Sequence, residues 1–384
     1  MPIPHLTGVG LTPFGRHAGS TALGLMAQAA QAALDDAGAE RGQVDGLLCG
    51  YATTLPHLML STLFAERFAL RPAYAHSLQL GGATGAALLM LAGDLVRSGR
   101  CRRVLVVAGE NRLSGQARDS AIQTLAQVGD PDMEVPNGAS VPAYYALLAA
   151  RYLHATGTTE ADLAALAVLM RGHARAHPGA QLRMPLTVAD VLASKPIATP
   201  LKLADCCPIS DGAAALVVSA DPGPGPRVQL RGAGQAHRHQ HLSAMADVLA
   251  CGAAEAAQRA WAEAGVQPAQ IGHLGIYDSF TITLAMLLEE LGFAPRGGSA
   301  ARALAGDFGP QGALPLNLHG GLLSYGHCGV AGGMAHAVEA VLQLGGRAGD
   351  PGAGRQARPA THALVHADGG VMSSHVSLVL TREG

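Results

Sequence analysis

An internal repeat is the feature of this 384-residue sequence that most restricts its fold. The run from Ala29 to Tyr51 aligns without gaps on the run from Ala256 to Asp278. In each run an alanine-rich helix ends at a glycine, a short polar linker follows, and an apolar strand begins, at Val44–Cys49 or Ile271–Ile276. The same helix and strand are therefore predicted twice. This duplication indicates two α/β halves packed with pseudo-symmetry.

A glycine-rich turn that opens an apolar helix is also present in both halves. Gly81–Gly85 precedes one such helix, and the strand Val104–Ala108 comes after it. Gly329–Gly333 precedes the other, and the strand Ala363–Val365 comes after that. Helices that are apolar nearly all round are predicted to be buried. Each half therefore reads as a βαβ-type unit with one buried helix.

The clearest boundary between the halves is the PGPGP run at Pro222–Pro226. We predict an N-terminal half over residues 1–221 and a C-terminal half over residues 222–384. The N-terminal half carries an insert at about residues 112–200, with a predicted helix at Val141–His154. Thr159 and Asp162 have the spacing of a capping box at the start of the next helix. An insert of this size in an α/β unit often covers a ligand.

Composition and charge exclude several functional classes. The formal net charge of −2 provides no basic face for nucleic acid. None of the six cysteines forms a CxxC pair, so we predict no metal site. The N-terminus lacks a charged region followed by an apolar segment, and no apolar run reaches the roughly 18 residues of a membrane span. We therefore expect a cytoplasmic protein without a membrane segment.

Five motifs in a fixed order resemble the thiolase superfamily. The resemblance is closest to the sterol-carrier-protein type of thiolase and its bacterial lipid-transfer-like relatives, and it runs over nearly the whole chain. The motifs are GGATG at Gly81–Gly85, PLKLADCCPISDGAAALVV at Pro200–Val218, YDSFTITLAMLLEELGF at Tyr277–Phe293, NLHGGLLSYGHCG at Asn317–Gly329 and HADGGVMSSH at His366–His375.

The resemblance implies an α/β thiolase fold, with duplicated βαβαβ halves in a five-layer αβαβα arrangement. Two buried helices would lie between two sheets, and the helices after the two glycine-rich turns fit that place. Members of the family are usually homodimers or tetramers, so the resemblance implies a homo-oligomer.

In the family, catalysis begins with a cysteine nucleophile at the start of the first buried helix. The family motif Cys-Ala-Ser-Gly aligns with Gly82-Ala83-Thr84-Gly85, so the resemblance places Gly82 at the nucleophile position. A glycine cannot form an acyl-enzyme. The family's Gly-His-Pro motif persists as Gly326-His327-Cys328.

The other catalytic positions also differ from the family pattern. His366, or a close neighbour because Asp368 stands where the family has glycine, takes the place of the second cysteine. Tyr277 replaces the polar residue of the family's oxyanion motif. The resemblance thus predicts three catalytic residues, and each has a structural alternative in which it only braces a loop or a strand end. They are His327, Tyr277 and His366, with Asp278, His319, Gly369 and Gly370 supporting the oxyanion site and its loops.

Two further sets of residues complete the candidates. Cys328 follows His327 and is the possible alternative nucleophile. Coenzyme A recognition usually relies on a few basic residues, and four arginines of the insert are candidates, with solvated surface arginines as the alternative: Arg112, Arg171, Arg175 and Arg183.

Three functions remain open at this point. The first is retro-aldol cleavage of a 3-hydroxyacyl-CoA, as in steroid side-chain breakdown, which needs a base and an oxyanion site but no nucleophile. The second is an acyl-CoA acyltransferase with an unrecognised nucleophile, and the third is a non-catalytic CoA-ester-binding subunit. We expect no permanently bound cofactor, because coenzyme A enters as part of the substrate. The resemblance also implies a possible small partner protein with a zinc ribbon and an OB fold.

Overall fold

The computed structural model describes residues 2–138, 140–349 and 354–383. Strands and helices alternate through both halves, and the insert is mainly helical. The first half contains β1 (His5–Leu11), α1 (Ala22–Ala37), β2 (Gly46–Gly50), α2 (Leu60–Arg67), β3 (Tyr74–Leu78), α3 (Thr84–Arg97), β4 (Arg103–Asn111) and, after the insert, β7 (Asp211–Ser219). The insert contains α4 (Arg112–Gly115), α5 (Arg118–Ala126), α6 (Val141–Thr156), α7 (Glu160–Arg175), α8 (Val188–Ala193), β5 (Pro196–Ala198) and β6 (Leu201–Lys202). The second half contains β8 (Val228–His237), α9 (Ala253–Ala264), β9 (Ile271–Ile276), α10 (Thr281–Glu290), α11 (Ser299–Leu304), α12 (Val330–Leu344), β10 (His362–Gly369) and β11 (Ser374–Arg382).

The strand order repeats between the halves. The first half runs β3-β2-β4-β7-β1, and the second runs β9-β10-β11-β8. Beyond β9, Leu316 forms a parallel bridge with Leu274, in the place that β3 holds beside β2. The two sets of strands form one continuous nine-stranded sheet, because β1 and β8 share the single pair His5 and Gln229. The predicted duplication is confirmed, and the two expected sheets join at this one pair.

The repeated alanines lie where a sheet and its outer helix touch. A Cβ on Gly8 or Gly10 of β1 would collide with the backbone of α1 at Ala33 or Ala29. A Cβ on Gly232 or Gly234 of β8 would collide in the same way with the equivalent alanines of α9, Ala260 and Ala256. Glycine on the strand and alanine on the helix therefore allow the same close packing in each half. This contact explains why these alanines recur in the sequence.

The helices α3 and α12 form the centre of the molecule. They pack against each other, and each contacts strands of both halves. Every residue of α12 except Leu342 is buried. Because α1 and α9 lie on the opposite faces of the strands, the order of layers is helix, strands, paired helices, strands and helix. This is the α/β thiolase architecture that the resemblance implied.

The insert folds over the second half. The helix predicted at Val141–His154 is observed as α6, and it contacts α10. The predicted capping box at Thr159 is present, with its backbone N–H 2.7 Å from an Asp162 carboxylate oxygen. The next helix, α7, packs against the buried turn Gly321–Tyr325. The insert is therefore in contact with the loop that leads to His327. The boundary near residue 221 stays a prediction, and Pro222–Pro226 lies in the connection between β7 and β8.

Asn317 fastens the end of β9 just before Tyr277. Its Nδ2 donates to the Ile276 carbonyl at 2.7 Å, and its Oδ1 accepts from the Ile276 N–H at 2.8 Å. The side chain is completely buried, so solvent cannot replace either bond. Asn317 also has a positive φ of 45°, a conformation that asparagine tolerates better than most residues.

Replacing Asn317 tests this support of β9. Asn317→Ala leaves the buried N–H and C=O of Ile276 unpaired, so it should lower the free energy of unfolding by about 2–4 kcal/mol. Urea unfolding measures the loss. The matched control is Asn137→Ala, because the Asn137 amide donates to the Met133 carbonyl in an exposed turn. The control should change the free energy by less than about 0.5 kcal/mol. Equal effects of the two substitutions would contradict the assignment.

Candidate active site

Tyr277 and His327 form the centre of the candidate site. Tyr277 follows β9 directly and is buried, and His327 follows the buried turn Gly321–Tyr325 and is mostly buried. Tyr277 Oη lies 2.9 Å from His327 Nε2. The sequence places these residues 50 positions apart, and the fold brings them into hydrogen-bond contact.

The hydrogen bonds of His327 assign its tautomer. Its Nδ1 accepts from the Gly329 N–H at 3.2 Å, so in the neutral ring the proton belongs on Nε2. Burial, with the positive charge of Arg112 as a smaller cause, lowers the pKa of His327 to about 3. The ring is therefore neutral near pH 7, and Nε2–H donates to the Tyr277 oxygen. The phenol proton of Tyr277 is then free to donate elsewhere.

Gly82 is in contact with the Tyr277 phenol. A Cβ built on Gly82 would overlap Tyr277 Oη and the Asp368 carbonyl oxygen, and it would lie 2.5 Å from Tyr277 Cζ. The phenol thus occupies the space into which any side chain at position 82 would project. A nucleophilic side chain at this position would require Tyr277 to move.

Glycines from both halves close the site. A Cβ on Gly81 would meet Gly370 N at 2.8 Å and Gly369 Cα at 3.0 Å. Gly81 and Gly370 both have positive φ, at 55° and 71°, which favours glycine over other residues. The turn after β10 therefore rests directly on the turn before α3. Gly369 and Gly370 shape the site by close backbone approach.

Asp278 supports the loop that carries His327. Its carboxylate accepts from the N–H groups of Leu322 and Leu323 at 2.7 and 3.4 Å, and His336 Nε2 lies 3.4 Å away. Burial raises the pKa of Asp278, although His336 and the two amides partly oppose this shift. The interactions of Asp278 thus fix the Gly321–Tyr325 turn.

His319 lies deeper in the molecule. Its ring packs 4.8 Å from the His336 ring and 5.4 Å from the Tyr325 ring, measured between centroids. Neither ring nitrogen has a hydrogen-bond partner within the described residues. Burial lowers the pKa of His319 well below its usual value, so the ring is neutral. It packs behind the turn that bears His327.

His366 is held inside the sheet. Its Nδ1 lies 2.7 Å from Ser377 Oγ, and its Nε2 lies 3.2 Å from His375 Nδ1. Both partners are on the neighbouring strand β11. The His366 carbonyl, in contrast, accepts from the Tyr277 N–H at 2.9 Å. The contacts of His366 therefore position the backbone of Tyr277, and its imidazole is engaged elsewhere.

Cys328 is completely buried beside His327. Burial, reinforced by the negative charge of Glu110, raises the pKa of its thiol well above the usual value, although Arg112 opposes this shift. A thiol with a raised pKa is a weak nucleophile near pH 7. The surroundings of Cys328 thus favour the neutral thiol.

The four candidate arginines lie in different environments. Arg112 is nearly buried, and its Nε lies 3.0 Å from Glu110. Arg171 donates to Ser324 Oγ at 3.0 Å and to the Met184 carbonyl at 3.3 Å. Arg183 donates to the Arg175 carbonyl at 3.4 Å in an exposed position. Arg171, Arg175 and Arg183 thus lie near one another at the end of α7, whereas Arg112 is engaged beside His327 and Cys328.

Two residues that the sequence did not single out also border the site. Asp368 lies one position before Gly369 and is only 1% exposed. Tyr145, from α6, stacks on Phe280 with ring centroids 4.3 Å apart, and its hydroxyl lies 3.5 Å from Asp368 Oδ2. The only sequence signal was that Asp368 interrupts a glycine cluster. Nothing in the pattern of α6 connects Tyr145 to this site.

The side chains and helices of the described residues bear on metal binding and on membrane insertion. Within residues 2–138, 140–349 and 354–383, no group of three or more His, Cys, Asp or Glu side chains is suited to hold a metal ion. Over the same residues, no helix has the length and apolar character needed to cross a bilayer.

Comparisons with known proteins agree with the fold. The family model described as "Thiolase C-terminal domain-like" matches residues 234–382. A steroid side-chain-cleaving aldolase of Thermomonospora curvata is 32% identical, and the alignment covers 97% of this chain and 97% of that protein. This chain belongs to the thiolase superfamily.

Two further relatives of this thiolase-superfamily chain differ in their activities. An acetyl-CoA acetyltransferase of Methanothermobacter thermautotrophicus is 29% identical over 94% of this chain and 95% of that protein. A solved structure described as the Ltp2-ChsH2(DUF35) aldolase is 30% identical, with a TM-score of 0.83 over 99% of this chain and 98% of that one. Membership of the superfamily therefore does not identify the reaction, which has to be inferred from the residues of the site.

Substitution of Gly82 tests the close contact with Tyr277. Gly82→Ala forces the phenol and the Asp368 backbone apart, and overpacking of this kind costs about 1–3 kcal/mol of unfolding free energy. Urea unfolding again provides the measurement. Gly42→Ala is the control, because a Cβ at Gly42 meets nothing within 4 Å. A Gly82→Ala protein as stable as the Gly42→Ala protein would show that the phenol does not fill this space.

Proposed function

We propose that this protein cleaves a 3-hydroxyacyl-CoA thioester by a retro-aldol reaction without an acyl-enzyme. The contact between Tyr277 and Gly82 carries the proposal, because the phenol takes the space that a nucleophile at position 82 would need. The similarity to a steroid side-chain-cleaving aldolase supports the same reaction class. A 3-hydroxyacyl-CoA fits this chemistry because a single carbon, C2, lies between the thioester carbonyl carbon and the carbon that bears the hydroxyl group. We propose a steroid side chain as the source of the acyl group, because that aldolase cleaves steroid side chains.

Tyr277 is suited to hold the oxygen of the thioester. When the bond between C2 and C3 breaks, its electron pair passes into an enolate whose negative charge lies on that oxygen. A hydrogen-bond donor aimed at this oxygen lowers the barrier. Burial raises the pKa of Tyr277 well above its usual value, so the phenol keeps its proton. His327 Nε2–H, which donates to the phenol oxygen, strengthens that donor.

An acyltransferase is the second candidate, because an acetyl-CoA acetyltransferase is 29% identical to this chain. Such a reaction needs a nucleophile, and Cys328 is the cysteine beside His327. Its complete burial and raised pKa disfavour this role. The retro-aldol reaction needs no nucleophile, so we favour it.

The similarity to the Ltp2-ChsH2(DUF35) aldolase supports a complex with a second protein. A small zinc-ribbon and OB-fold protein is the partner we propose, and the chain itself would form a homodimer or tetramer. Coenzyme A would enter as part of the substrate, with no permanently bound cofactor. Arg171, Arg175 and Arg183 are the arginines we propose for its phosphates, because they lie together on the insert.

Removing the Tyr277 hydroxyl tests the proposed donor. Tyr277→Phe should lower kcat for carbonyl release from a 3-hydroxyacyl-CoA by about 100- to 1000-fold, the range found for loss of one oxyanion donor. The assay uses the purified protein with and without its partner, and it scores aldehyde or ketone release. Tyr74→Phe is the control, because Tyr74 lies on the edge strand β3. No carbonyl release by the wild-type protein under either condition would refute the function. Unchanged kcat in Tyr277→Phe would refute the role of Tyr277.

Replacing Cys328 separates the two enzymatic candidates. Cys328→Ser keeps a side chain of similar size but removes the thiol, so carbonyl release should stay within about threefold of the wild-type rate. The same assay scores thiolysis with free coenzyme A. Thiolysis by the wild-type protein that disappears in Cys328→Ser would favour the acyltransferase and overturn our choice.

A further inference from the structure

Asp368 is a buried carboxyl group that the mechanism above leaves unused. It lies near the end of β10, and its carbonyl oxygen and Tyr277 Oη both border the space above Gly82. A Cβ at Gly82 would overlap both of these oxygen atoms. Asp368 therefore lies beside the phenol, and both side chains are buried.

The Asp368 carboxylate has little to stabilise a negative charge. Its one hydrogen-bond contact among the described residues is with Tyr145 Oη, at 3.5 Å from Oδ2. That hydroxyl is closer to the Gly370 carbonyl, at 3.2 Å, and it has a single proton to donate. No arginine, lysine or histidine within the described ranges forms an ion pair with Asp368. Burial consequently raises its pKa to about 7, with Tyr145 as a small opposing influence.

The other polar groups around the site are poorly placed to accept a proton. His327 has its Nδ1 occupied by the Gly329 N–H, and its Nε2–H donates to Tyr277. His366 has both ring nitrogens engaged on β11. Tyr277 keeps its proton because of its raised pKa. A retro-aldol reaction nevertheless needs a group that removes the proton of the 3-hydroxyl.

We propose that Asp368 is the general base of this reaction and that Tyr145 positions its carboxylate. The inference rests on the proposed function. The carboxylate takes the hydroxyl proton, and the electron pair of the O–H bond forms the carbonyl at C3. The bond between C2 and C3 breaks, and its pair forms the enolate held by Tyr277. Asp368 then returns the proton to C2, so the products are a carbonyl compound and a shorter acyl-CoA.

Several titratable groups surround Asp368 on the elements packed against it. Tyr145 lies on α6, Tyr277 follows β9, and Cys251 precedes α9, while His375 is its cross-strand partner on β11. Burial raises the pKa of both tyrosines and of the Cys251 thiol. Burial lowers the pKa of His375 to about 4. All four groups are therefore neutral near pH 7, and Asp368 is the one that changes charge there.

The first test is the pH dependence of carbonyl release. A base must be ionised, so kcat/KM of the wild-type protein should rise with pH through about 7 and then level off. Asp368→Asn should lower kcat by about 100-fold or more and remove this rise. Tyr145→Phe should shift the midpoint with a smaller loss of rate. Asp94→Asn, an exposed change on α3, should retain the wild-type profile.

The second test measures titration of Asp368 without catalysis. In the folded protein this carboxyl holds its proton to a higher pH than in the unfolded chain. The stability it contributes is therefore complete below about pH 4 and is lost as the pH rises through about 7. The Asp368→Asn protein has no carboxyl group at this position and does not lose this stability as the pH rises. The thermal midpoint of the variant minus that of the wild-type protein should therefore be larger at pH 8 than at pH 5.

The two measurements separate the possible failures. Absence of carbonyl release by the wild-type protein would remove the proposed function, and the role of Asp368 as its base with it. An active wild-type protein together with an Asp368→Asn variant that keeps its rate and its pH profile would overturn the base assignment alone. If the difference in thermal midpoint between Asp368→Asn and the wild-type protein is the same at pH 5 and pH 8, the raised pKa of Asp368 is contradicted. The expected result is loss of rate, loss of the pH dependence and a midpoint difference that grows with pH.

Discussion

The close backbone contact between the two glycine turns is the constraint on which this site depends. Gly81, from the first half, lies against Gly369 and Gly370 from the second, where side chains have no room. This contact brings the start of α3 beside the end of β10. Tyr277, which directly follows β9, places its phenol between them, against Gly82. A site built at the junction of two repeated halves draws residues from both of them. The duplication thus explains why candidate catalytic groups far apart in sequence come together.

Burial determines the charges of this site. The Tyr277 phenol and the His327 imidazole are both neutral near pH 7, and they form an ordered pair of donors rather than an ion pair. Such donors suit an oxygen that acquires negative charge during the reaction, because they need not reorganise. The same burial keeps Cys328 as a thiol and raises the pKa of Asp368. One enclosed environment therefore disfavours covalent catalysis by a thiolate and favours a carboxyl group that titrates near neutral pH.

Much of the fold was predictable from the sequence, because the signals were repeated and local. Ala29 and Ala33 recur as Ala256 and Ala260, and glycines on β1 and β8 meet them in the structure. The choice of Tyr277 and His327 as candidates followed from resemblance to a family, and nothing in the sequence predicted their contact. Asp368 and Tyr145 were missed for a physical reason. Their importance comes from burial and from a contact between the insert and β10, which no periodicity reveals. The hydrogen bonds of His366 to β11 could not be predicted either, because they depend on the register of two strands.

The central claim is that the reaction proceeds without a covalent link between substrate and protein. Intact-protein mass spectrometry of samples quenched in acid during turnover of a 3-hydroxyacyl-CoA tests it most directly. The account predicts an unmodified protein mass while carbonyl product accumulates. A mass increase equal to the acyl group, located by peptide mapping to Cys328 or another residue, would contradict it.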